Sequence, residues 1–158
     1  MGCAPLCKCA APDTPIATPF GNKPIASLNV GDLVYSIDHG EMTTVPIVRT
    51  NRTPVSGHFV VRVVLEGGST LEISALHPTA DGRSFGVLRS GDQLDGVRIV
   101  SATTIPYLHD ATYDILPDSD TGAYFAGGVL VGSTLASNAA RVDYATRPLE
   151  TADIGFRR

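Results

Sequence analysis

Cys9 and the tetrapeptide Ser74-Ala-Leu-His77 are the residues of this chain best suited to covalent chemistry. The cysteine heads the run Cys9-Ala-Ala-Pro-Asp-Thr14, a short tail away from the chain start, and leads directly into the body of the protein. A free thiol has a pKa of about 8.5 and is only a few per cent thiolate at neutral pH, so a cysteine that attacks an amide needs a base or an electropositive setting. The amide must be weakened as well, because resonance gives it a rotational barrier of about 18–20 kcal/mol. An imidazole, with a pKa of about 6.5, can protonate the departing amide nitrogen, which makes His77 the general-acid candidate. The Ser74 hydroxyl, three residues earlier, can hydrogen-bond the scissile peptide or steady the ring. Together these residue types suggest attack on the peptide bond in front of the nucleophile, with Lys8 as substrate and Lys8–Cys9 as the bond that breaks.

Such side chains have to be held by strands. Val, Ile and Thr are abundant, Trp is absent, and Gly or Pro interrupts the chain every several residues, the pattern of many short strands joined by turns. The sequence predicts an all-β fold with extended runs at 14–17, 33–37, 43–50, 58–65, 69–74, 96–104, 111–116 and 124–131. Pro19-Phe-Gly-Asn22 and Pro117-Asp-Ser-Asp-Thr-Gly122 read as turns, and Glu66-Gly-Gly68 as a hairpin connection. One internal echo stands out: Leu28-Asn-Val-Gly-Asp-Leu33 returns as Leu88-Arg-Ser-Gly-Asp-Gln-Leu94, each marking a turn that enters a strand. A duplicated half-fold with pseudo-two-fold symmetry would produce this.

Composition narrows the function. A chain of 158 residues is long enough for one domain with a proper core. Twelve basic against sixteen acidic residues leave a net charge of −4, which argues against a nucleic-acid partner. No apolar stretch approaches the roughly 18 residues of a membrane span, and no secretory h-region opens the chain. The chain reads as soluble. Cys3, Cys7 and Cys9 all lie in the first nine residues, so no disulfide can staple the body. Their spacing offers three soft ligands with no histidine nearby, too few for a structural metal site, and no metal or cofactor is expected. Met1-Gly-Cys lacks the Ser or Thr of a myristoylation signal at position 6, which is Leu6. Past about Ala136 the composition turns polar. The expected organisation is an upstream tail over 1–8, a domain over 9–135 and a polar tail over 136–158. The upstream stretch is short for a natural partner, as expected of a fragment.

Four blocks in this order resemble the Hint (hedgehog/intein) superfamily, most closely bacterial intein-like autoprocessing domains. They are Cys9 with Thr14; Lys23-Pro-Ile-Ala-Ser-Leu-Asn-Val-Gly-Asp-Leu-Val34; Leu71-Glu-Ile-Ser-Ala-Leu-His-Pro78; and Thr112-Tyr-Asp-Ile115 followed by Tyr124-Phe-Ala-Gly-Gly-Val-Leu-Val131. The resemblance covers Cys9 to about Leu135. It implies an all-β horseshoe of long strands with pseudo-two-fold symmetry, the nucleophile in a central cleft, and a single turnover on itself. It further implies an N-to-S acyl shift that joins the Lys8 carbonyl to Cys9 as a thioester, with His77 as general acid. Ser74 stands where the family usually has threonine, and Asp114 matches an aspartate that can accept or hold the thiol proton. The resemblance also fits a piece of a larger secreted or cell-surface bacterial protein.

The pattern breaks at its close. Splicing ends on a histidine and an asparagine whose side-chain amide cyclises, and here those positions are Gly132 and Ser133. Serine has no amide nitrogen, and glycine delivers no proton. Gly122 lies near the place of a further family histidine. The expected activity is therefore cleavage at Lys8–Cys9 without full splicing, the thioester being released by water, an external thiol or an amine. Thr134 is a weak second nucleophile. The partners are the chain's own flanking segments, around a monomer. The alternative is a catalytically degenerate Hint-fold module kept for binding or spacing. His39, His58 and His109 match no block and read as turn or strand-end residues.

Overall fold

The computed structural model describes residues 9–135; Lys8, Cys3, Cys7 and the 136–158 segment lie outside the described residues. Eleven strands account for the described body: β1 (Pro15–Thr18), β2 (Gly21–Pro24), β3 (Leu33–Asp38), β4 (Glu41–Pro54), β5 (Phe59–Leu65), β6 (Thr70–Ile73), β7 (Gln93–Leu94), β8 (Val97–Pro106), β9 (Ala111–Pro117), β10 (Tyr124–Ala126) and β11 (Val129–Val131). They form three hydrogen-bonded groups, in the orders β11-β10-β1-β2, β3-β4-β9 and β6-β5-β8-β7. Ala10 ties the last two together, pairing antiparallel with both Ile73 and Tyr113. The fold is the all-β horseshoe expected. No helix among the described residues is long and apolar enough to cross a membrane.

Inward faces follow the period of two that a pleated strand imposes. Ile16 and Thr18 point inward from β1, and Leu71 and Ile73 from β6. Ile16, Leu71 and Ile73 join Val63, Leu65, Ile99, Ile115, Tyr124 and Val131 in one core. The extended run expected over 124–131 is a hairpin instead. Gly127 and Gly128 take φ of 60° and 87° at its turn, a left-handed conformation that costs glycine little. β2, entirely exposed, and the two-residue β7 carry no apolar alternation, so neither shows in the sequence pattern.

The Leu28 and Leu88 echo is a real structural repeat. A single 3₁₀ turn precedes each copy, Ile25–Ser27 and Phe85–Val87. The Leu28 and Leu88 amides donate back to Ile25 and Phe85, both at 3.2 Å. Gly31 donates to Ile47 and Gly91 to Ile99, at 2.8 and 2.9 Å, and both isoleucines return a 2.8 Å bond to Asp32 and Asp92. Even the side chains match: Asp32 Oδ2 accepts from Asn29 N at 2.8 Å, and Asp92 Oδ2 from Arg89 N at 2.9 Å. Immediately after those isoleucines both long strands slip register, β4 against β9 between Ile47 and Arg49, and β8 where Leu65 faces Ile99. Such bulges bend a strand and raise its twist. They curl each half at the same place.

Candidate active site

The strand-like segment 9–11 runs between β6 and β9. Ala10 exchanges two 2.8 Å hydrogen bonds with Tyr113. Ala11 donates to the Glu72 carbonyl at 3.1 Å, and the Ser74 amide donates to the Cys9 carbonyl at 3.0 Å. The backbone of Cys9 is thereby fixed against the first residue of the Ser74–His77 turn. Its side chain is buried. Burial first, with Cys9 the smallest contributor, raises the hydroxyl pKa of both Tyr107 and Tyr124.

Ser74–His77 leaves β6 as a tight turn closed by the His77 amide on the Ser74 carbonyl at 3.0 Å. Ala11–Thr14 is its mate in the other half, closed by Thr14 on Ala11 at 3.1 Å. The two turns carry their 3₁₀ helices identically, through Phe85 N to His77 O at 3.0 Å and Ile25 N to Thr14 O at 2.9 Å. Ser74 and His77 are both fully buried. Phe85 meets the His77 ring edge-on, with centroids 6.0 Å apart. His77 Nε2 lies 2.7 Å from the Gly132 carbonyl oxygen. A carbonyl only accepts, so Nε2 carries a proton and donates it. His77 therefore links the turn that holds the Cys9 carbonyl to the segment that follows β11.

Asp114 is buried on β9. Its Oδ1 accepts from the Tyr124 hydroxyl at 2.7 Å and the Ile115 amide at 2.9 Å. Its Oδ2 accepts from Thr134 twice, from the amide at 2.8 Å and the hydroxyl at 2.5 Å. Burial, then the Asp114 carboxylate, pushes the Tyr124 hydroxyl pKa well above its ordinary value, so Tyr124 stays a proton donor. The Thr134 hydroxyl thus rests on a carboxylate. Ser133, also buried, spends its hydroxyl on the Ile115 carbonyl at 2.7 Å. The Gly132 amide donates to the Pro78 carbonyl at 3.2 Å. A Cβ at Gly132 would lie 3.1 Å from the Thr79 carbonyl oxygen and 3.2 Å from Pro78 Cγ, so a side chain there fits only if these neighbours give by a few tenths of an ångström.

Hydrogen bonds thus join Cys9, Ser74, His77 and Gly132 in one set and Asp114, Tyr124 and Thr134 in a second, the two meeting along the 132–134 segment. One further residue lies there that sequence reasoning passed over. His58, immediately before β5, is buried and places Nε2 2.9 Å from Ser74 Oγ. Tyr107 covers it edge-on, with ring centroids 5.5 Å apart. A weak signal exists, since His58 shares the inward parity of Val60. His39 remains in the exposed β3–β4 turn, its Nδ1 3.0 Å from Asp38 Oδ2, and His109 packs on the outer side of Tyr107 with ring centroids 5.2 Å apart.

No family model and no curated protein sequence matches the chain. Solved structures do. The PabCDC21-1 intein is similar over 81% of this chain and 99% of its own, with a TM-score of 0.66 and 14% identity. The MchDnaB-1 intein in its N145AA form is similar over 79% of this chain and 99% of its own, at 25% identity and a TM-score of 0.63. A bacterial intein-like domain from Clostridium thermocellum is similar over 79% of this chain and 96% of its own, at 19% identity and a TM-score of 0.66.

Proposed function

Because the chain has the Hint fold of the hedgehog/intein superfamily, we propose that it is an autoprocessing domain that cleaves the Lys8–Cys9 bond in front of its own nucleophile. The observation that carries this reading is the 3.0 Å bond from Ser74 N to the Cys9 carbonyl, which fixes the cysteine to the turn bearing His77. The Cys9 thiol attacks the Lys8 carbonyl and passes its proton to His77 Nδ1, Nε2 being the nitrogen that donates to Gly132; the C–N bond breaks, and the departing amide nitrogen takes that proton. His77 is the acid that supplies it and Ser74 the hydroxyl that orients the junction. The product is a thioester on Cys9 and a free α-amine at the same residue. Water, an external thiol or an amine then releases the upstream segment.

Asp114 acts at the other end of the network in this reading. Hydroxyls attack thioesters poorly without a base, and the carboxylate 2.5 Å from Thr134 Oγ1 is such a base. Thr134 is thus an internal acyl acceptor, forming an ester that water can open. Ser133 cannot form a succinimide, so no joined product follows.

The test uses the full chain with a folded reporter ahead of Met1, incubated with a strong thiol or hydroxylamine and followed by mass spectrometry. The expected product begins at Cys9, Cys9→Ala abolishes it, and Cys3→Ala or Cys7→Ala leaves its rate nearly unchanged. A wild-type chain that stays whole under these conditions would leave only a Hint-fold binding or spacer module. A ligated product would require a closing nucleophile absent from 132–134.

A further inference from the structure

Ser74 is a serine without the β-methyl that restricts threonine's χ1, so something else must set where its hydroxyl points. His58 Nε2 reaches Ser74 Oγ at 2.9 Å. His58 is built in from two directions: its ring is met edge-on by Tyr107 at 5.5 Å, and its carbonyl accepts the Tyr107 amide at 2.8 Å. Tyr107 is in turn anchored, its hydroxyl donating to the Ala111 carbonyl at 2.6 Å. Burial holds the imidazole below its ordinary pKa, favouring the neutral ring with one nitrogen free to accept.

We propose that His58 is the positioning residue of the acyl shift: its Nε2 accepts the Ser74 hydroxyl proton and so turns that oxygen's lone pairs toward the Lys8–Cys9 junction. The inference rests on the cleavage assigned above to Cys9. With its proton committed to His58, Ser74 Oγ is an acceptor for the Cys9 amide or thiol, the two donors of the residue whose carbonyl Ser74 already holds. His58 does by hydrogen bonding what a methyl does by sterics. It needs no contact with the reacting atoms, and it explains how a serine can serve at this position.

The experiment measures the rate of thiol-induced release of a reporter from the full chain for wild type, Cys9→Ala, His58→Phe, His58→Gln, Ser74→Ala and the His58→Phe/Ser74→Ala double variant. Wild type against Cys9→Ala reads the acyl shift itself. His58→Phe, which keeps the ring shape without an acceptor, is expected to slow release about ten-fold, the effect of one lost orienting hydrogen bond. His58→Gln, whose Oε1 can accept in place of Nε2, should retain most of the rate. The double variant should be no slower than Ser74→Ala, and Ser74→Thr should restore release to a His58→Phe chain. If His58→Phe fails to fold, His58→Asn, too short to reach Ser74, takes its place in the cycle. Release at the wild-type rate by the folded His58 variant, or a double variant slowed by the full product of the two single effects, would overturn the inference while leaving the cleavage reading intact. Absence of release from wild type would instead overturn the cleavage reading.

Discussion

Gly132→Ala tests whether the closing segment has merely lost its family histidine or has been rebuilt around a residue with no side chain. The added methyl would sit 3.1 Å from the Thr79 carbonyl, 3.2 Å from Pro78 Cγ and 3.3 Å from the Pro78 carbonyl. Two of those atoms are backbone, in a stretch held by the Thr79–Val131 bridge and the Gly132–Pro78 bond, so they cannot swing aside as a side chain end would. Overpacking of this kind costs about 1–3 kcal/mol. Relief by moving Gly132 outward draws its carbonyl off His77 Nε2, now 2.7 Å away, and forfeits about 0.5–1.5 kcal/mol instead. Either route destabilises the domain by about 1 kcal/mol or more, roughly 3–5 °C or more in Tm for a domain of this size. Thermal unfolding of the full chain, with Cys9→Ala in both proteins to suppress cleavage, reads the difference. The histidine that splicing would need meets the same wall, so Gly132→His with Ser133→Asn should unfold earlier still and cleave poorly after residue 133. An unchanged midpoint for Gly132→Ala, or brisk C-terminal cleavage by the paired variant at wild-type stability, would refute the reasoning.

Asp114→Asn keeps the shape but trades one acceptor oxygen for a donor, facing it toward either Tyr124 or Thr134, both of which donate; urea unfolding should show a loss of about 1–3 kcal/mol, and any branched ester on Thr134 should vanish from the mass spectrum. Asp32→Ala and Asp92→Ala should each cost about 0.5–1.5 kcal/mol, and nearly the same amount, because the two carboxylates accept from Asn29 and Arg89 in matching turns; midpoints that differ widely would argue against equivalent halves. His58, its pKa lowered by burial, takes up a proton more readily in the unfolded chain than in the folded one. The facing groups, Ser74 and Tyr107, supply no charge in this range, Tyr107 being raised by burial first, and His109 lies beyond it. Stability is therefore full above about pH 6.5 and falls as the pH drops through that value toward the folded pKa, and His58→Gln should flatten the fall.

What the sequence showed and what it hid divide along the range of the interactions. Cys9, Ser74, His77 and Asp114 sit in runs with a fixed local pattern, and their convergence follows from strand order. The repeat was readable for a similar reason: Gly31 and Gly91, at φ of 96° and 93°, punctuate their turns identically. His58 had no such local sign. Its partner lies sixteen residues away in the turn after β6, and a single histidine before a strand carries no spacing to interpret. The Asp114–Thr134 bond spans twenty residues and depends on how the chain returns after β11. Neither the short exposed β2 nor the glycine-broken hairpin of β10 and β11 obeys the alternation from which strands are read.

The repeat also explains where the chemistry sits. Ser74 donates to Cys9 while Ala11 donates to Glu72, and between these reciprocal bonds Ala10 faces Ile73. The pseudo-two-fold relation exchanges the two sides of that pair, so the segment carrying Cys9 passes beside the axis. Outward from it the mates continue, Ala10 pairing Tyr113 on β9 as Ile73 pairs Val61 on β5. A residue beside the axis is reached by both halves, which is why Cys9 can meet the His77 turn from one and the Asp114 strand from the other. The backbone of the two turns is equivalent, but their side chains are not. Thr14, in the place of His77, turns its hydroxyl back onto the Ala11 carbonyl at 2.6 Å and only closes its own turn. In the second copy the hydroxyl and imidazole reach outward instead, to His58 and Gly132. On the proposed reading one copy of the turn is structural and the other chemical, with the ionisable ring of His77 marking the side on which cleavage would occur.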